Sequence, residues 1–416
     1  MKISFGVSVT TVYKMIIVIV ITKWISIHLG PSGIAMTSIF GNFVTLSQTV
    51  ATGGIGTGII KLISEYITNK QKLKEYIHSG LFVTICATLI TIIVILTFSE
   101  FITEKFLFDV KYKNIIYLSS IFIAFYSFQN LFISILNGFQ NFKKIVTFNF
   151  LNSTMGLILS VTLIKYYELE GALYAIMGFQ VSGFILLLYV FDIRKYLFSN
   201  SKFSITLNSV RNLASYSSFT FINAITIPSS QYTVRYFIVI FFNLQSAGYW
   251  DSMNKISFAL IAIINTSMSL YLIPKITRIT SYASINKEIR KSGLFFLSIT
   301  FLLFITVFFF RDLLIIFLYS NKFLYVKNLF LYQLIGDFLR LFGWIFACVM
   351  LSKSMIKELI ICDLLSSIII YLPLSYFFIE KFGLIGATYA YAINYLIYLI
   401  IVIFIHYQKT KNETKN

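Results

Sequence analysis

About twelve long apolar stretches run through this 416-residue chain, each with the length of a bilayer-spanning helix. A hydrocarbon core about 30 Å thick needs roughly 20 apolar residues at 1.5 Å of rise per residue. Counting such stretches between charges and turn residues predicts helices near 8–28, 36–60, 78–98, 114–136, 145–164, 171–191, 213–240, 248–272, 293–318, 328–350, 357–379 and 384–406. Only 12% of the residues are charged, against about 25% in soluble domains. The expected fold class is therefore an all-α polytopic membrane protein. The first stretch, from about Ser8 to His28, lacks a small-residue cleavage site and precedes many further spans. It reads as a transmembrane helix and not as a cleaved signal.

Basic residues give the orientation. With the N-terminus inside, 21 of the 34 lysines and arginines fall in inner segments, 8 in outer loops and 5 within spans. The excess of inner positive charge predicts cytoplasmic termini at both ends. The net charge of +18 then describes a basic inner surface facing anionic lipid heads, and a nucleic-acid partner is not expected. Cys86, Cys348 and Cys362 lie far apart in apolar stretches, and His28, His78 and His406 are isolated. Neither a disulfide framework nor a metal site is expected from them.

One offset relates two pairs of segments. Leu29-Gly30-Pro31-Ser32-Gly33 and Leu244-Gln245-Ser246-Ala247-Gly248 share their first and last residues 215 positions apart. Gly171-Ala172-Leu173-Tyr174-Ala175 and Gly386-Ala387-Thr388-Tyr389-Ala390 share four of five at the same spacing. This predicts two six-helix lobes, 1–200 and 201–416, joined by the basic, Ser/Asn-rich segment 192–212. An even number of spans per half gives the two halves the same topology, with substrate expected between them.

Leaving aside Arg311, Asp312, Lys357 and Glu358 near span ends, eight charged residues lie inside the predicted spans: Lys14, Lys23, Arg235, Lys255, Arg340, Asp251, Asp337 and Asp363. Each costs roughly 2.5–3.5 kcal/mol on insertion scales, so such residues face cavities and mark transport paths. Cations outnumber acids, which points to anionic cargo. Lys14 and Lys23 lie on opposite faces of one helix, about 13 Å apart along its axis. Asp251 and Lys255 are four residues apart and share a face, so they can form an ion pair. Asp337 and Arg340 share a face near the midplane, either as cargo contacts or as a mutually neutralised pair. Asp363 has no cation within a turn of its own helix and must find a partner on another helix or bind a proton.

Gly53-Gly54-Ile55-Gly56-Thr57-Gly58 lies within an apolar span with no preceding strand, so nucleotide binding is not expected. Gly54 and Gly58 have the spacing that lets helix backbones approach closely. Pro228 is expected to kink the seventh helix and to contribute to gating. No catalytic pairing of side chains shares an aqueous setting, and the longest outer loop, near 98–113, is too small for a catalytic domain. Neither enzyme chemistry nor a cofactor is expected.

These residues resemble the O-antigen and enterobacterial-common-antigen flippases, polysaccharide exporters related to multidrug-and-toxin exporters. The resemblance rests on Leu29 to Gly33, on Gly53 to Gly58 running on through Ile60-Lys61-Leu62-Ile63-Ser64-Glu65-Tyr66, and on Ser269-Leu270-Tyr271-Leu272-Ile273-Pro274-Lys275-Ile276. Ser320-Asn321-Lys322-Phe323 and Gln333-Leu334-Ile335-Gly336-Asp337-Phe338-Leu339-Arg340 add to it, and the similarity runs through nearly the whole chain. Lys14, Lys23, Arg235, Asp337 and Arg340 fall where similar members carry like residues, while Asp251, Lys255 and Asp363 match less closely.

The resemblance implies a two-lobed, twelve-helix fold like that of the multidrug-and-toxin exporters, in a bacterial inner membrane. It implies movement of an undecaprenyl-pyrophosphate-linked oligosaccharide to the outer leaflet, with O-antigen polymerase and a chain-length regulator as partners. Lys14, Lys23, Arg235, Lys255 and Arg340 are then the expected substrate contacts, and Asp251, Asp337 and Asp363 serve ion coupling or charge pairing. A drug or cation antiporter on the same fold is the main alternative, although its cavity should favour carboxylates. A polymerase would need a substantial outer loop, and a purely structural subunit leaves Asp337 and Arg340 unexplained. Sugar specificity is expected from neutral Asn, Gln, Tyr and Trp groups.

Overall fold

The chain is described from a computed structural model covering residues 2–107, 110–190 and 204–413, and among these residues there is no strand. The helices used below are α1 (Lys2–His28), α2 (Gly30–Ala51), α3 (Gly56–Glu65), α4 (Lys70–Thr97), α5 (Lys113–Gly138), α6 (Phe142–Val190) and α7 (Leu207–Phe241). They continue with α8 (Leu244–Thr277), α9 (Tyr282–Phe309), α10 (Phe330–Ser352), α11 (Ile356–Leu364), α12 (Tyr371–Phe382) and α13 (Gly386–Glu413). The expected junction at 192–212, up to residue 203 and including Arg194, Lys195 and Lys202, lies outside the described residues.

Local chemistry sets the boundaries. Asn69, Asn243 and Ser281 cap α4, α8 and α9, their side chains accepting from the backbone N–H of Lys72, Ser246 and Ser284 at 3.1, 2.8 and 3.3 Å. Each cap satisfies a donor that a helix start leaves orphaned. Between α1 and α2 the chain turns at Gly30, where φ is +65°, and Pro31 opens the next helix. A proline in the first turn loses no hydrogen bond, and a glycine adopts positive φ without steric cost.

Among the described residues, eight helical segments are long and apolar enough to cross a bilayer, or nine if the bent pair α2–α3 counts as one span. Two of the segments, Phe142–Tyr189 and Ile356–Lys411, contain 48 and 56 residues. Each of those has room for two crossings. Large apolar side chains such as Leu270, Leu294, Phe295, Leu302 and Phe309 are mostly exposed, as suits a surface whose solvent is lipid.

Two predicted spans are interrupted, and a third break falls between two others. The stretch 36–60 is not one helix: it breaks at Gly53 and Gly54, with φ of +61° and +63°, and α2 meets α3 at 43°. Glycines inside an apolar run are compatible with either a tight helix contact or a break, and here they provide both. A Cβ on Gly54 would lie 2.3 Å from the Phe221 ring, and one on Gly58 would lie 2.7 Å from the Leu213 carbonyl oxygen. The stretches 145–164 and 171–191 correspond to two helical runs within the range of α6, separated by non-helical backbone at Glu168. The stretch 357–379 passes through a π-helical turn at Leu365–Ile370 between α11 and α12. Pro228 lies inside α7, and its carbonyl accepts from Asn42 Nδ2 at 3.3 Å.

Backbone packing separates two units. The first holds the chain up to Leu29 and Met36–Ser229; the second holds Gly30–Ala35 and everything from Ser230 onward. The first unit is cored by Ile55, Ile59, Ile63, Ile77, Leu131, Ile135, Phe148 and Leu213. The second is organised by α10, which packs on both α8 and α13. Gly336 and Gly343, two turns apart on α10, admit the rings of Tyr391 and Tyr398 from α13; a Cβ there would meet those rings at 2.4 and 2.8 Å.

The 215-residue offset reappears as backbone geometry. Glu168 and Gly383 both have positive φ, 48° and 73°. Gly171 and Gly386 each pack against the carbonyl oxygen eight residues earlier, Leu163 and Phe378, where a Cβ would sit 1.9 Å away in both cases. Two chain corners with positive φ at the equivalent position, the same glycine three residues on and the same close approach repeat one structural unit. The other matched pair of segments meets directly: a Cβ on Gly248 would lie 1.9 Å from the Pro31 carbonyl oxygen.

Candidate functional site

A network of polar groups in the second unit lies where α10 faces α8 and α13. Asp337 on α10 is fully buried, and its Oδ1 accepts from Ser257 Oγ and from the Tyr391 hydroxyl, both at 2.8 Å. Gln333, one turn earlier, donates to Ser257 Oγ at 3.2 Å. The second oxygen, Oδ2, has no hydrogen-bond partner in the structure. In an apolar interior such an oxygen is expensive to leave unmatched.

Arg340 lies three residues further along α10 and is half-buried. Its Nη1 donates to the Tyr391 hydroxyl at 3.4 Å, and its guanidinium faces the rings of Phe258 and Tyr395 at 5.6 and 5.2 Å. Tyr391 therefore links the two charges, donating to Asp337 and accepting from Arg340. Asp337 and Arg340 do not form the direct pair that their spacing allows. Among the described residues no carboxylate lies within 4.0 Å of Arg340. Asp363 on α11 is half-buried and lies within the electrostatic reach of Arg340.

Asp251 corrects a sequence expectation. Its partner is Arg235 on α7 and not Lys255 one turn away on its own helix. Arg235 Nε reaches the two carboxylate oxygens at 3.0 and 2.7 Å, and Nη2 reaches Oδ1 at 2.6 Å. Both side chains are 4% exposed, and the Trp250 ring lies 5.7 Å from the guanidinium carbon. A guanidinium fork matches a carboxylate in two directions, which a lysine on the same helix cannot do. Lys255 is left exposed, with no carboxylate within 4.0 Å among the described residues.

The first unit carries Lys14 and Lys23. Lys14 is exposed and Lys23 half-buried on α1, and the neighbouring Tyr13 hydroxyl meets Thr154 Oγ1 of α6 at 2.9 Å. Within the second unit, Tyr391 joins Asp337 to Arg340, Asp363 lies within electrostatic reach of Arg340, and Arg235 pairs with Asp251.

Sequence reasoning missed the aromatic frame. Tyr391, Tyr395 and Tyr398 repeat along one face of α13; Tyr391 contacts both Tyr395 and Tyr371, with ring centroids 4.8 and 6.1 Å apart. Their spacing was a signal, but 27 tyrosines in the chain hid which ones mattered. Ser257 and Gln333 carried no signal at all, since each is an ordinary polar residue until the charge it serves is placed beside it.

The fold is that of the multidrug-and-toxin exporter class of membrane transporters. An inward-facing multidrug resistance MATE family transporter of the MOP superfamily superposes with a TM-score of 0.80 at 15% identity, covering 97% of this chain and 96% of that one. The lipid II flippase MurJ, in an inward closed conformation, gives a TM-score of 0.78 at 15% identity, covering 95% and 86%.

Within that class, the polysaccharide biosynthesis protein family matches residues 3–280, and the chain belongs to that family. It is 24% identical over 404 residues to the lipid III flippases of Escherichia coli (strain K12) and Shigella flexneri, covering 95% of this chain and 95% of each relative. The whole chain is thus a multi-pass membrane protein whose relatives are transporters.

Proposed function

We propose that the chain is a flippase for a lipid-linked oligosaccharide, carrying an undecaprenyl-pyrophosphate-linked repeat unit from the cytoplasmic to the periplasmic leaflet. In this reading it lies in a bacterial inner membrane with both termini cytoplasmic, and it delivers substrate to a polymerase and chain-length regulator outside. The observation that carries the reading is Arg340, a guanidinium in a membrane-spanning helix with no carboxylate at ion-pair distance among the described residues. An intramembrane guanidinium with no direct carboxylate contact is the complement of a diphosphate, to which it gives charge-assisted hydrogen bonds in place of water.

Lys14, Lys23 and Lys255 supply further point charges. Arg235, closed on Asp251, holds α7 to α8 in this conformation and is not itself offered to substrate. The polyprenyl tail needs no protein contact, since it remains in lipid while the head group crosses. Asp337, with one oxygen unmatched, and Asp363 are the acids suited to bind a coupling ion. Family membership and the flippase relatives favour this reading over a drug antiporter, and so does an open charge that is positive.

The test is reconstitution into vesicles with a fluorescent undecaprenyl-pyrophosphate oligosaccharide, scoring its movement between leaflets. Arg340→Ala should abolish movement, and Arg340→Lys should retain part of it. Wild-type rates in Arg340→Ala would overturn the assignment.

A further inference from the structure

The first unit contains a polar cleft of about 390 Å³ at the break between α2 and α3, within the ~300–1,000 Å³ range of small-molecule sites. Gln48, Thr49, Asn130, Ser134, Asn137 and the Phe221 ring line it, and no lining residue is charged. Backbone and hydroxyl groups at membrane depth must be satisfied within the protein unless they face a water-filled space.

Part of the lining is satisfied internally. The Thr49 hydroxyl donates to the Thr45 carbonyl at 2.9 Å, Asn137 Nδ2 to the Ile133 carbonyl at 2.9 Å, and Asn130 Nδ2 to the Tyr126 hydroxyl at 3.4 Å. The rest is open. Among the described residues the carboxamide of Gln48 and the hydroxyl of Ser134 make no hydrogen bond, and the side-chain oxygens of Asn130 and Asn137 accept none. Uncommitted amide and hydroxyl groups therefore gather in one cleft.

The glycines of the break shape this space. Gly54 has no Cβ to collide with the Phe221 ring, and a Cβ on Gly56 would press on Ser134 Oγ at 3.2 Å and Asn130 Oδ1 at 3.4 Å. The motif between α2 and α3 thus seats an aromatic face and leaves room for two polar side chains to reach the cleft.

A cleft with no charge is a poor site for a phosphate. Planar carboxamides that both donate and accept, beside an aromatic ring, match a ligand whose rim is hydroxyls and whose face is C–H: a pyranose. We propose that this cleft binds a neutral sugar residue of the oligosaccharide head and contributes to sugar specificity. The proposal rests on the flippase reading above, and it separates the labour: cations hold the diphosphate, and the cleft selects the sugar.

The test measures binding of two probes to the purified full chain in lipid nanodiscs. One probe is undecaprenyl pyrophosphate; the other is the same lipid bearing a short N-acetylhexosamine-containing oligosaccharide. The wild type should bind the sugar-bearing probe about 5–10-fold more tightly, the scale of one or two net hydrogen bonds. Gln48→Ala and Asn130→Ala should each remove most of that gain and leave affinity for the bare lipid unchanged, which also shows that the variants are folded. Should a variant lose bare-lipid binding, the isosteric Gln48→Glu replaces it and should likewise lose the gain. Equal affinity of the wild type for both probes, or a gain that survives both alanine substitutions, overturns the sugar site alone. Failure of the wild type to bind either probe overturns the flippase reading, and the sugar site falls with it.

Discussion

Arg235 and Asp251 form a closed ion pair between α7 and α8, with three hydrogen bonds of 2.6 to 3.0 Å and almost no exposure. Only Nη1 of the arginine is left without a partner. A pair of this kind contributes most visibly when it is broken, because the survivor is then a buried, unmatched charge.

Arg235→Ala should therefore destabilise the protein by about 3–5 kcal/mol, read as a lowered midpoint of thermal unfolding in detergent. The double variant Arg235→Leu with Asp251→Leu should recover much of that loss. Lys255→Ala should leave the midpoint almost unchanged. A midpoint as low in Lys255→Ala as in Arg235→Ala would contradict the observed pairing.

Tyr391 couples Asp337 to Arg340 through a single hydroxyl. Tyr391→Phe keeps the ring between α10 and α13 and deletes only that link. The expected result is a stability loss of about 1–3 kcal/mol, the cost of leaving a buried carboxylate short of a donor, together with slower translocation. Full translocation in a folded Tyr391→Phe protein would show that the link has no part in transport.

If Asp363 binds the coupling ion, Asp363→Asn should remove the response of transport to an imposed pH gradient while leaving substrate binding intact. Binding is measured separately with the bare lipid. A variant that still accelerates under the gradient shifts the coupling role to Asp337 or elsewhere.

Glu168 holds φ of 48° at an exposed position where the second half has Gly383. Such a conformation costs a non-glycine residue about 1–3 kcal/mol. Glu168→Gly should raise the unfolding midpoint by the equivalent of about 1 kcal/mol, after the extra entropy of an unfolded glycine is subtracted. Gly386→Ala should do the reverse and sharply lower the yield of folded protein, since its Cβ would sit 1.9 Å from a carbonyl oxygen.

Outside the predicted spans, Glu100 accepts a hydrogen bond from the Lys113 ammonium, which with its charge holds the carboxyl below the ordinary glutamate range. A folded-state value below the unfolded one means that the stabilisation is present above the unfolded carboxyl range. It is lost as pH falls through the lower folded value. The pair is exposed, so the loss should be small and should shrink further in high salt. Unfolding midpoints of wild type and Lys113→Ala, compared at neutral and acidic pH, check both points: the difference should close on acidification.

Much of the fold was legible because lipid imposes a simple rule. A stretch of some 20 apolar residues has few alternatives to a helix, so the spans could be read from composition and length alone. The duplication was legible at Gly171 and Gly386, because a backbone approach that only glycine permits leaves the same residue in both copies. The break at Gly53 and Gly54 was not, since a glycine pair in an apolar run serves a straight, close-packed helix as well as a corner. Only the neighbouring Phe221 and Leu213 show what it does.

The sequence by itself determined that this is a polytopic helical membrane protein, with an internal repeat of short segments and more cations than acids inside its predicted spans. Those properties are sums and periodicities along the chain. Which charges cancel was decided by tertiary structure alone. Asp251 had Lys255 one turn away and Arg235 on another helix, and the geometry of a guanidinium fork across α7 and α8 favoured the distant partner. That choice leaves Arg340 and Lys255, among the described residues, with no carboxylate within 4.0 Å, because charge pairing depends on distance and direction in space, which spacing along one helix cannot supply.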